Sequence, residues 1–409
     1  MTPADLGLIG HDAESHQIAR HLGDEGYHIL RLAADCPQPG NAAGMPCGSA
    51  QAFCKDMETL VSRLSPPRRV FIRAGSEPEL EAIVQRLIPL LSEEDLIVDL
   101  GDSYFLDTER RACQVQSEGL RFLGVAISHD SADGVSKPGF VIGGDPRAFN
   151  GIKPLLDAMA RRTENGGTCA DFIGPRGAGH FTGMVCKGLV QCEHALLLEA
   201  GNVMMNLDAA RFPEMLALFR RKDPVSMLLE ALCCAPSRDG SEPAVNEIRI
   251  RSDQIQADPK LLKHARDLGT PLPVLSAIME SSKEVGRAGE EKTGLSLVDD
   301  LWTALNASRI VAWRQSMEFF DKASVEFNYF LNLPAILNIW QQSTWLHSAL
   351  IEKILPLYEA RQVRFGLQEA LAGSLRKSEA REAWQRISRA LLNADAACPG
   401  LAAAMADVQ

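Results

Sequence analysis

The feature that most constrains the fold of this 409-residue chain is an alternation of short apolar segments with amphipathic segments over its first half. Short apolar runs are typical of buried strands, whereas apolar side chains spaced three and four residues apart predict helices. Strands are predicted at Asp5–Ile9, Tyr27–Leu32, Val70–Ile72, Leu96–Leu100, Arg121–Ile127 and Gly139–Gly144, and helices at His16–Gly26, Glu77–Leu91 and Asp107–Glu118. This βαβ rhythm predicts an α/β, doubly wound, Rossmann-like sheet with helices on both faces.

The character of the sequence changes after about Gly174. Long apolar-periodic segments follow without strand-like alternation, which predicts an all-α helical second domain. These segments cover His180–Asn206, Leu295–Leu331, Pro334–Leu357 and Val363–Asn393. We therefore expect a Rossmann-like NAD(P)-binding-type domain over residues 1–176 and a helical dimerisation domain over residues 177–409.

The charge balance limits the classes of partner. The chain carries 42 Lys and Arg residues against 53 Asp and Glu residues, a formal net charge of −11. Phosphate backbones and anionic membranes are held mainly by Lys and Arg, so we expect neither nucleic acid nor membrane as a partner. The N-terminal segment turns polar after one short apolar run, which is unlike a signal peptide and predicts a cytoplasmic protein.

The cysteines and histidines show no metal-binding pattern. None of the ten cysteines forms a CxxC pair or has zinc-type spacing, so no metal site is predicted. Cys186 and Cys192 lie on a predicted helix and are expected in the core. His194 and His347 also lie on apolar helical segments, and we expect them in the core as well.

The loop after the first predicted strand is a degenerate dinucleotide-binding loop. Gly10 is present, but the second and third glycine positions are Asp12 and Ser15. Those glycines normally admit the pyrophosphate and allow close packing of helix on strand. Asp12 and Glu14 instead place negative charge where a helix N-terminus would receive phosphates. By itself the loop predicts an α/β fold that binds no dinucleotide here.

Longer stretches nevertheless form a recognisable series. They are ADLGLIG from Ala4, PPRRV at 66–70, RAG at 73–75, IVDLGDSYFLDTERR at 97–111, GG at 143–144, GPRGAGHFTGMVCKGL at 174–189, ALNASRIVAW from Ala304 and LPAILNIW from Leu333. In this order the sequence resembles the 6-phosphogluconate dehydrogenase family from Ala4 to about Ala403. The resemblance implies an N-terminal NADP domain, a large helical domain and a homodimer. It also implies NADP-dependent oxidation of 6-phosphogluconate followed by decarboxylation to ribulose 5-phosphate.

The family's cofactor positions are only partly kept. Gly10, Arg73 and Ala74 stand at matching places, but the Asn-Arg-Thr that grips the adenosine 2′-phosphate is Ala33–Asp35 here. Losing an arginine and gaining Asp35 removes a phosphate clamp and adds repulsion. Asp35 is instead suited to accept a hydrogen bond from a ribose hydroxyl of NAD. The cofactor is therefore unknown: NADP is disfavoured and NAD stays open.

The helix after GAGHF departs most from the resemblance. In the family it holds a lysine base, an asparagine, a glutamate acid and a tyrosine that touches the substrate phosphate. At those places the chain has Gly183, Lys187, Val190 and Gln191. Oxidation needs a base and decarboxylation needs an acid, and neither glycine nor valine transfers a proton.

Other positions would still line the same cleft. The family's catalytic-site asparagine is Asp102, its Ser-Gly-Gly is Ser128-His129-Asp130, and the histidine of GHF is kept as His180. The candidate catalytic residues are therefore Lys187, His180, Asp102 and Ser128. No counterpart of the family's C-terminal tail, which enters the partner's site, occurs before Gln409.

Three hypotheses follow. The first is a non-catalytic scaffold, regulator or partner protein. The second is a repurposed enzyme that uses Lys187, His180 and Asp102 on a different, non-phosphorylated substrate. The third is a diverged NAD-dependent hydroxyacid oxidoreductase with Asp35 as the ribose acceptor. The sequence favours the first, because fold-bearing stretches persist while chemistry-bearing residues are replaced. Its long apolar helices favour a homodimer.

Overall fold

The computed structural model describes residues 3–32, 51–128, 137–163, 165–234, 257–280, 296–360, 377–391 and 398–407. The chain divides into two compact units. Unit 1 comprises Met1–Gly183 with Tyr329–Thr344, and unit 2 comprises Met184–Asn328 with Trp345–Gln409. The chain therefore passes between the units three times.

Unit 1 is built on one sheet. Its described strands are β1 Leu6–Ile9, β2 Ile29–Leu32, β3 Gln51–Cys54, β4 Arg69–Ile72, β5 Leu96–Asp99, β6 Arg121–Ser128, β7 Gly139–Gly144 and β8 Ala170–Gly174. The strand order is β3-β2-β1-β4-β5-β6-β7-β8, and neighbouring strands are parallel except β6 and β7. The order reverses between β1 and β4, which is the switch point of a doubly wound sheet. The predicted Rossmann-like sheet is confirmed.

Helices cover both faces of this sheet. They are α1 Ala13–Asp24, α2 Met57–Ser62, α3 Glu77–Leu87, α4 Phe105–Ser117 and α5 Pro146–Met159. Helices α1 and α5 enclose one apolar core with the sheet, and α2, α3 and α4 enclose a second core on the opposite face. Strands β3 and β8 and helices α2 and α5 were not predicted from the sequence.

The second half of the chain is helical, as predicted. Its described helices are α6 Ala178–Asp208, α7 Phe212–Lys222, α8 Met227–Cys234, α9 Pro259–Asp267, α10 Pro273–Glu280, α11 Ser296–Glu326, α12 Leu333–Ser343, α13 Ala349–Glu359, α14 Lys377–Leu391 and α15 Pro399–Asp407. The apolar segment predicted at Pro334–Leu357 is helical and is divided into two helices, α12 and α13. None of the described helices is both long and apolar enough to cross a membrane.

Helix α12 packs on β7 and β8 within unit 1, and Tyr329 anchors the chain where it returns to that unit. The fully buried Tyr329 donates its hydroxyl hydrogen to Glu109 Oε1 at 2.6 Å, and the Arg176 guanidinium lies over its ring. Its neighbours Asn328 and Phe330 both have left-handed backbone, with φ of 51° and 50°. Phe330 is 78% exposed as a result of this turn.

Unit 2 contains a buried network of charged groups. Arg309 donates from Nε to Glu193 at 2.6 Å and from a terminal nitrogen to Asp223 at 2.9 Å. Glu193 also accepts from the Trp313 indole at 2.9 Å, and Asp223 accepts from the backbone N–H of Ala349 at 2.9 Å. The three charged side chains are nearly inaccessible to water, so each depends on these partners.

The core predictions for the second half are mostly confirmed. Cys186, Cys192 and His194 are buried. The prediction for His347 is wrong: its side chain is 29% exposed and lies 3.7 Å from Glu352. The apolar segment that contains it is interrupted there by the break between α12 and α13, and the histidine lies in the connection between these two helices.

Candidate functional site

The loops that follow β1, β4 and β5 meet at the carboxyl edge of the sheet because these three strands are neighbours. They carry Gly10, Arg73 and Asp102, and we call the space between them the crevice. Ligands of doubly wound sheets bind in such a place. Asp35, the predicted ribose acceptor, lies outside the described residues.

A carboxylate of the chain itself caps the helix that opens on the crevice. Asp12 Oδ1 accepts hydrogen bonds from the backbone N–H of Ser15 at 2.8 Å and from the Ser15 hydroxyl at 2.5 Å. A β-carbon on Gly10 would lie 2.4 Å from the Ser15 hydroxyl oxygen and 2.8 Å from the carbonyl oxygen of Arg73, so this position requires glycine. Asp12 thus caps the N-terminus of α1, where a phosphate would otherwise bind.

Arg73 binds the same carboxylate from the far side of the crevice. Its Nε donates to Asp12 Oδ2 at 3.0 Å, a terminal nitrogen pairs with Glu14, and another donates to the Leu100 carbonyl at 2.7 Å. Burial opposes its charge, but the carboxylates of Glu14, Asp102 and Asp12 outweigh burial and raise the pKa of Arg73. The guanidinium is thus held by acidic groups of the chain.

Two other backbone donors of the crevice are also satisfied by carboxylates. Glu79 accepts from the N–H of Gly75 at 2.8 Å, and Glu77 accepts from the N–H of Tyr104 at 2.9 Å. Ala74, between Arg73 and Gly75, is partly buried against the core. In the loops after β4 and β5, acidic side chains of the chain itself thus accept the hydrogen bonds that a bound anion would need.

Hydrogen bonds to the Asp99 side chain fix the loop that carries Asp102. This fully buried carboxylate accepts from the N–H of Gly101 at 2.8 Å and from the Ser103 hydroxyl at 2.7 Å. Ser103 is therefore used to shape the turn, whereas the Asp102 side chain is exposed at the crevice.

His180 is buried. It is 3% exposed, and its Nδ1 lies 2.7 Å from the Thr108 hydroxyl oxygen and 4.0 Å from Asp99. Burial outweighs the attraction of Asp99 and Asp102 and lowers the pKa of His180. A buried neutral imidazole of this kind supports the packing of α6 and gives no accessible base.

Ser128 is engaged in a structural contact. Its hydroxyl lies 2.9 Å from that of Ser343 at the end of α12. The Ser343 hydroxyl donates to the Ile339 carbonyl at 2.7 Å, so Ser128 is the donor between the two serines. The neighbouring His129, Asp130 and Asp133 lie outside the described residues.

The segment that the resemblance aligns with the family's catalytic helix forms part of α6. A β-carbon on Gly183 would lie 2.5 Å from the β-carbon of Ala126 on β6, so a lysine does not fit there without movement of the sheet or helix. Lys187 is half-buried one turn further along, Val190 is buried, and Gln191 accepts from the backbone N–H of Ala257 at 2.8 Å. The structure therefore brings Gly10, Arg73 and Asp102 together, while Lys187 belongs to unit 2.

One cation near the crevice escaped the sequence reasoning. Arg31 on β2 is 1% exposed, donates to the Gly10 carbonyl at 2.7 Å and lies over the Phe53 ring. The sequence did contain a signal for this residue, because an arginine among the apolar residues of a short strand indicates a buried cation with a specific partner. Among the described residues no group of three or more acidic, histidine or cysteine side chains is arranged to hold a metal ion.

The crevice does not fit a dinucleotide. A pyrophosphate needs free backbone donors and positive charge at the start of α1. Asp12 and Glu14 supply negative charge at that place, and Arg73 is already paired with both.

Comparison with known families agrees with the fold. Residues 5–174 match the family profile of the NAD-binding domain of 6-phosphogluconate dehydrogenase, and residues 179–408 match that of its C-terminal domain.

Individual relatives cover nearly the whole chain. The decarboxylating 6-phosphogluconate dehydrogenase of Rattus norvegicus is 25% identical over 413 residues, which span 95% of this chain and 85% of the relative. The NADP-dependent, decarboxylating enzyme of Bacillus subtilis is 24% identical over 383 residues, 88% of this chain and 81% of that one. The solved 6-phosphogluconate dehydrogenase of Plasmodium falciparum has the same fold, with a TM-score of 0.80 and 17% identity over 98% of this chain and 91% of that one.

Proposed function

Because the chain belongs to the 6-phosphogluconate dehydrogenase family and yet fills its own cofactor crevice, we propose that it is a non-catalytic member of that family. It neither binds NADP nor oxidises 6-phosphogluconate, and it acts as a scaffold, a regulator or the partner of another protein. The observation that carries this proposal is the ion-pair cluster of Asp12, Glu14 and Arg73 at the start of α1.

The residues on α6 support the same proposal. Gly183 and Val190 stand where the family has its base and acid, and Ala126 packs against the first of these positions. A positioned acid or base contributes about 10²- to 10⁴-fold to rate. With both absent, we expect turnover at least about 10⁴-fold below that of a catalytic relative.

The proposal is tested by calorimetric titration of the full chain with NADP and with NAD, beside spectrophotometric assay with 6-phosphogluconate. The Bacillus subtilis relative serves as the positive control. We expect no saturable heat and no NADPH formation from this protein. Saturable NAD binding would favour a diverged NAD-dependent oxidoreductase instead, and NADPH formation near the rate of the relative would refute the proposal.

A paired set of variants tests whether the carboxylates are the cause. Asp12→Ser with Glu14→Gln removes the two carboxylates that form ion pairs with Arg73, so this variant is expected to bind inorganic pyrophosphate weakly while the wild type does not. Asp56→Ser with Glu58→Gln is the matched control, because Asp56 caps α2 in the same way and Glu58 also lies two residues after the cap. Equal behaviour of all three proteins would show that these carboxylates do not exclude anions.

We further propose that the protein acts as a homodimer in the cytoplasm. The support is the family's dimeric architecture together with the length and apolarity of α6 and α11. Light scattering on the same samples is expected to give twice the mass of the chain, and a monomer mass would contradict the dimer.

A further inference from the structure

Helix α15 begins without an N-cap of its own. The residue before it, Cys398, is not of a type that caps helices, and Pro399 at the first position has no N–H. The cap comes instead from Glu199 on α6. One oxygen of Glu199 accepts from the N–H of Gly400 and the other from the N–H of Leu401, both at 2.8 Å. The start of α15 is thus held by a side chain two hundred positions away.

The rest of α15 is also held from outside. Leu401, Ala404 and Met405 are buried, and Asp407 near the last turn accepts from Gln315 Nε2 at 2.8 Å and pairs with Arg314 on α11. A helix of nine residues is too short to be stable alone in water. Formation of α15 and its docking are therefore one event.

Glu199 is buried, and the described residues give it no countercharge. The residue is 6% exposed, and within the described ranges the titratable groups that face it are the thiols of Cys192 on α6 and Cys398 before α15. Burial raises the pKa of both thiols far above neutrality, so they stay uncharged. From α10, the apolar side chain of Ile278 reaches the same place beside Gly400. In the described parts of the chain no Lys, Arg or His pairs with Glu199.

We propose that α15 is a detachable C-terminal helix whose docking is coupled to the protonation of Glu199. The helix docks firmly over the neutral side chain and loosens when the side chain ionises, because an uncompensated carboxylate is better solvated by water than by this site.

The direction of the coupling follows from the two states. Burial outweighs the two backbone hydrogen bonds from Leu401 and Gly400 and raises the pKa of Glu199 from 4.5 to about 7 in the docked state. When α15 leaves, water reaches the carboxylate and its pKa returns toward 4.5. The docked state binds the proton more tightly, so docking weakens as the pH rises from about 4.5 to about 7. The difference between these values sets an upper limit of roughly 300-fold on the change in the docking equilibrium.

Hydrogen exchange of the full chain, read by mass spectrometry on the peptide that contains residues 398–407, tests this proposal. After correction for intrinsic exchange, protection of that peptide is expected to fall as the pH rises from about 4.5 to about 7, by up to roughly 300-fold. Glu199→Gln is expected to abolish this pH dependence, because the amide cannot ionise. Glu214→Gln, at an exposed position on α7, is the matched control and should behave as the wild type.

A second variant keeps the test decisive if Glu199→Gln fails to fold. Asp407→Asn weakens the other end of α15, so protection should fall at every pH while the dependence on pH is kept. Protection of the wild-type peptide that does not change with pH would overturn the proposal. So would an unchanged pH dependence in Glu199→Gln.

Discussion

Replacing Arg309 with methionine is expected to destabilise unit 2 by about 3–5 kcal/mol. The methionine fills part of the space, but Glu193 and Asp223 then lose the cation that lies between them. Two buried carboxylates would then repel each other, and the hydrogen bonds from the Trp313 indole and the Ala349 N–H do not neutralise their charge. Removing one partner of a buried network costs far more than the network contributes in net stability, because the remaining charges stay desolvated.

Urea unfolding followed by tryptophan fluorescence measures this effect, since Trp313 belongs to the network. Arg386→Met is the matched control: Arg386 pairs with Asp300 through two hydrogen bonds, but its side chain is 49% exposed. An exposed pair contributes about 1 kcal/mol or less. A loss of similar size in the two variants would show that the Arg309 network is not a buried charge centre.

Gly179→Ala is expected to destabilise unit 1 by about 3 kcal/mol, at the upper end of the cost of overpacking. A β-carbon at 179 would lie 2.3 Å from the carbonyl oxygen of Gly124, 2.7 Å from the backbone nitrogen of Gly143 and 2.8 Å from the carbonyl oxygen of Val141. All three atoms belong to the backbone of β6 and β7. They cannot rotate away as a side chain would, so the start of α6 must move off the sheet.

Gly151→Ala is the control for this substitution. Gly151 lies in the exposed part of α5, and a β-carbon there would meet nothing within 4 Å. Because alanine favours helix over glycine, this variant is expected to gain about 0.4–1 kcal/mol. Chemical denaturation of the two variants beside the wild type gives both values, and a Gly179→Ala protein as stable as wild type would disprove the tight packing.

The sequence predicted the strands that are short, fully apolar and flanked by clear helical spacing, such as β1 and β5. It missed β3, whose side chains are mostly half-exposed, and β8, in which a charged Asp171 interrupts the apolar run. It missed α5 because Pro154 lies inside that helix, and proline ordinarily signals a helix boundary. Local pattern therefore predicts an element only where local preference and burial agree.

The candidate site was predicted in part. The degenerate loop at Gly10 and Asp12 was visible in the sequence, because it breaks a known glycine pattern. The pairing of Asp12 with Arg73 was not, because it joins residues 61 positions apart and depends on β4 lying beside β1. That His180 is buried also depends on tertiary packing, which the sequence does not reveal.

The return of α12 to the sheet has a consequence for how such proteins can be taken apart or recombined. Two family profiles meet near residue 176 and divide the sequence cleanly, but the three-dimensional units do not divide there. A polypeptide that ended at this seam would lose the helix that covers β7 and β8, together with Tyr329 and Ser343. The two structural units of this protein thus alternate along its sequence. An exchange of the N-terminal half between relatives would have to preserve the packing of β7 and β8 on α12, which lies in the other half of the sequence.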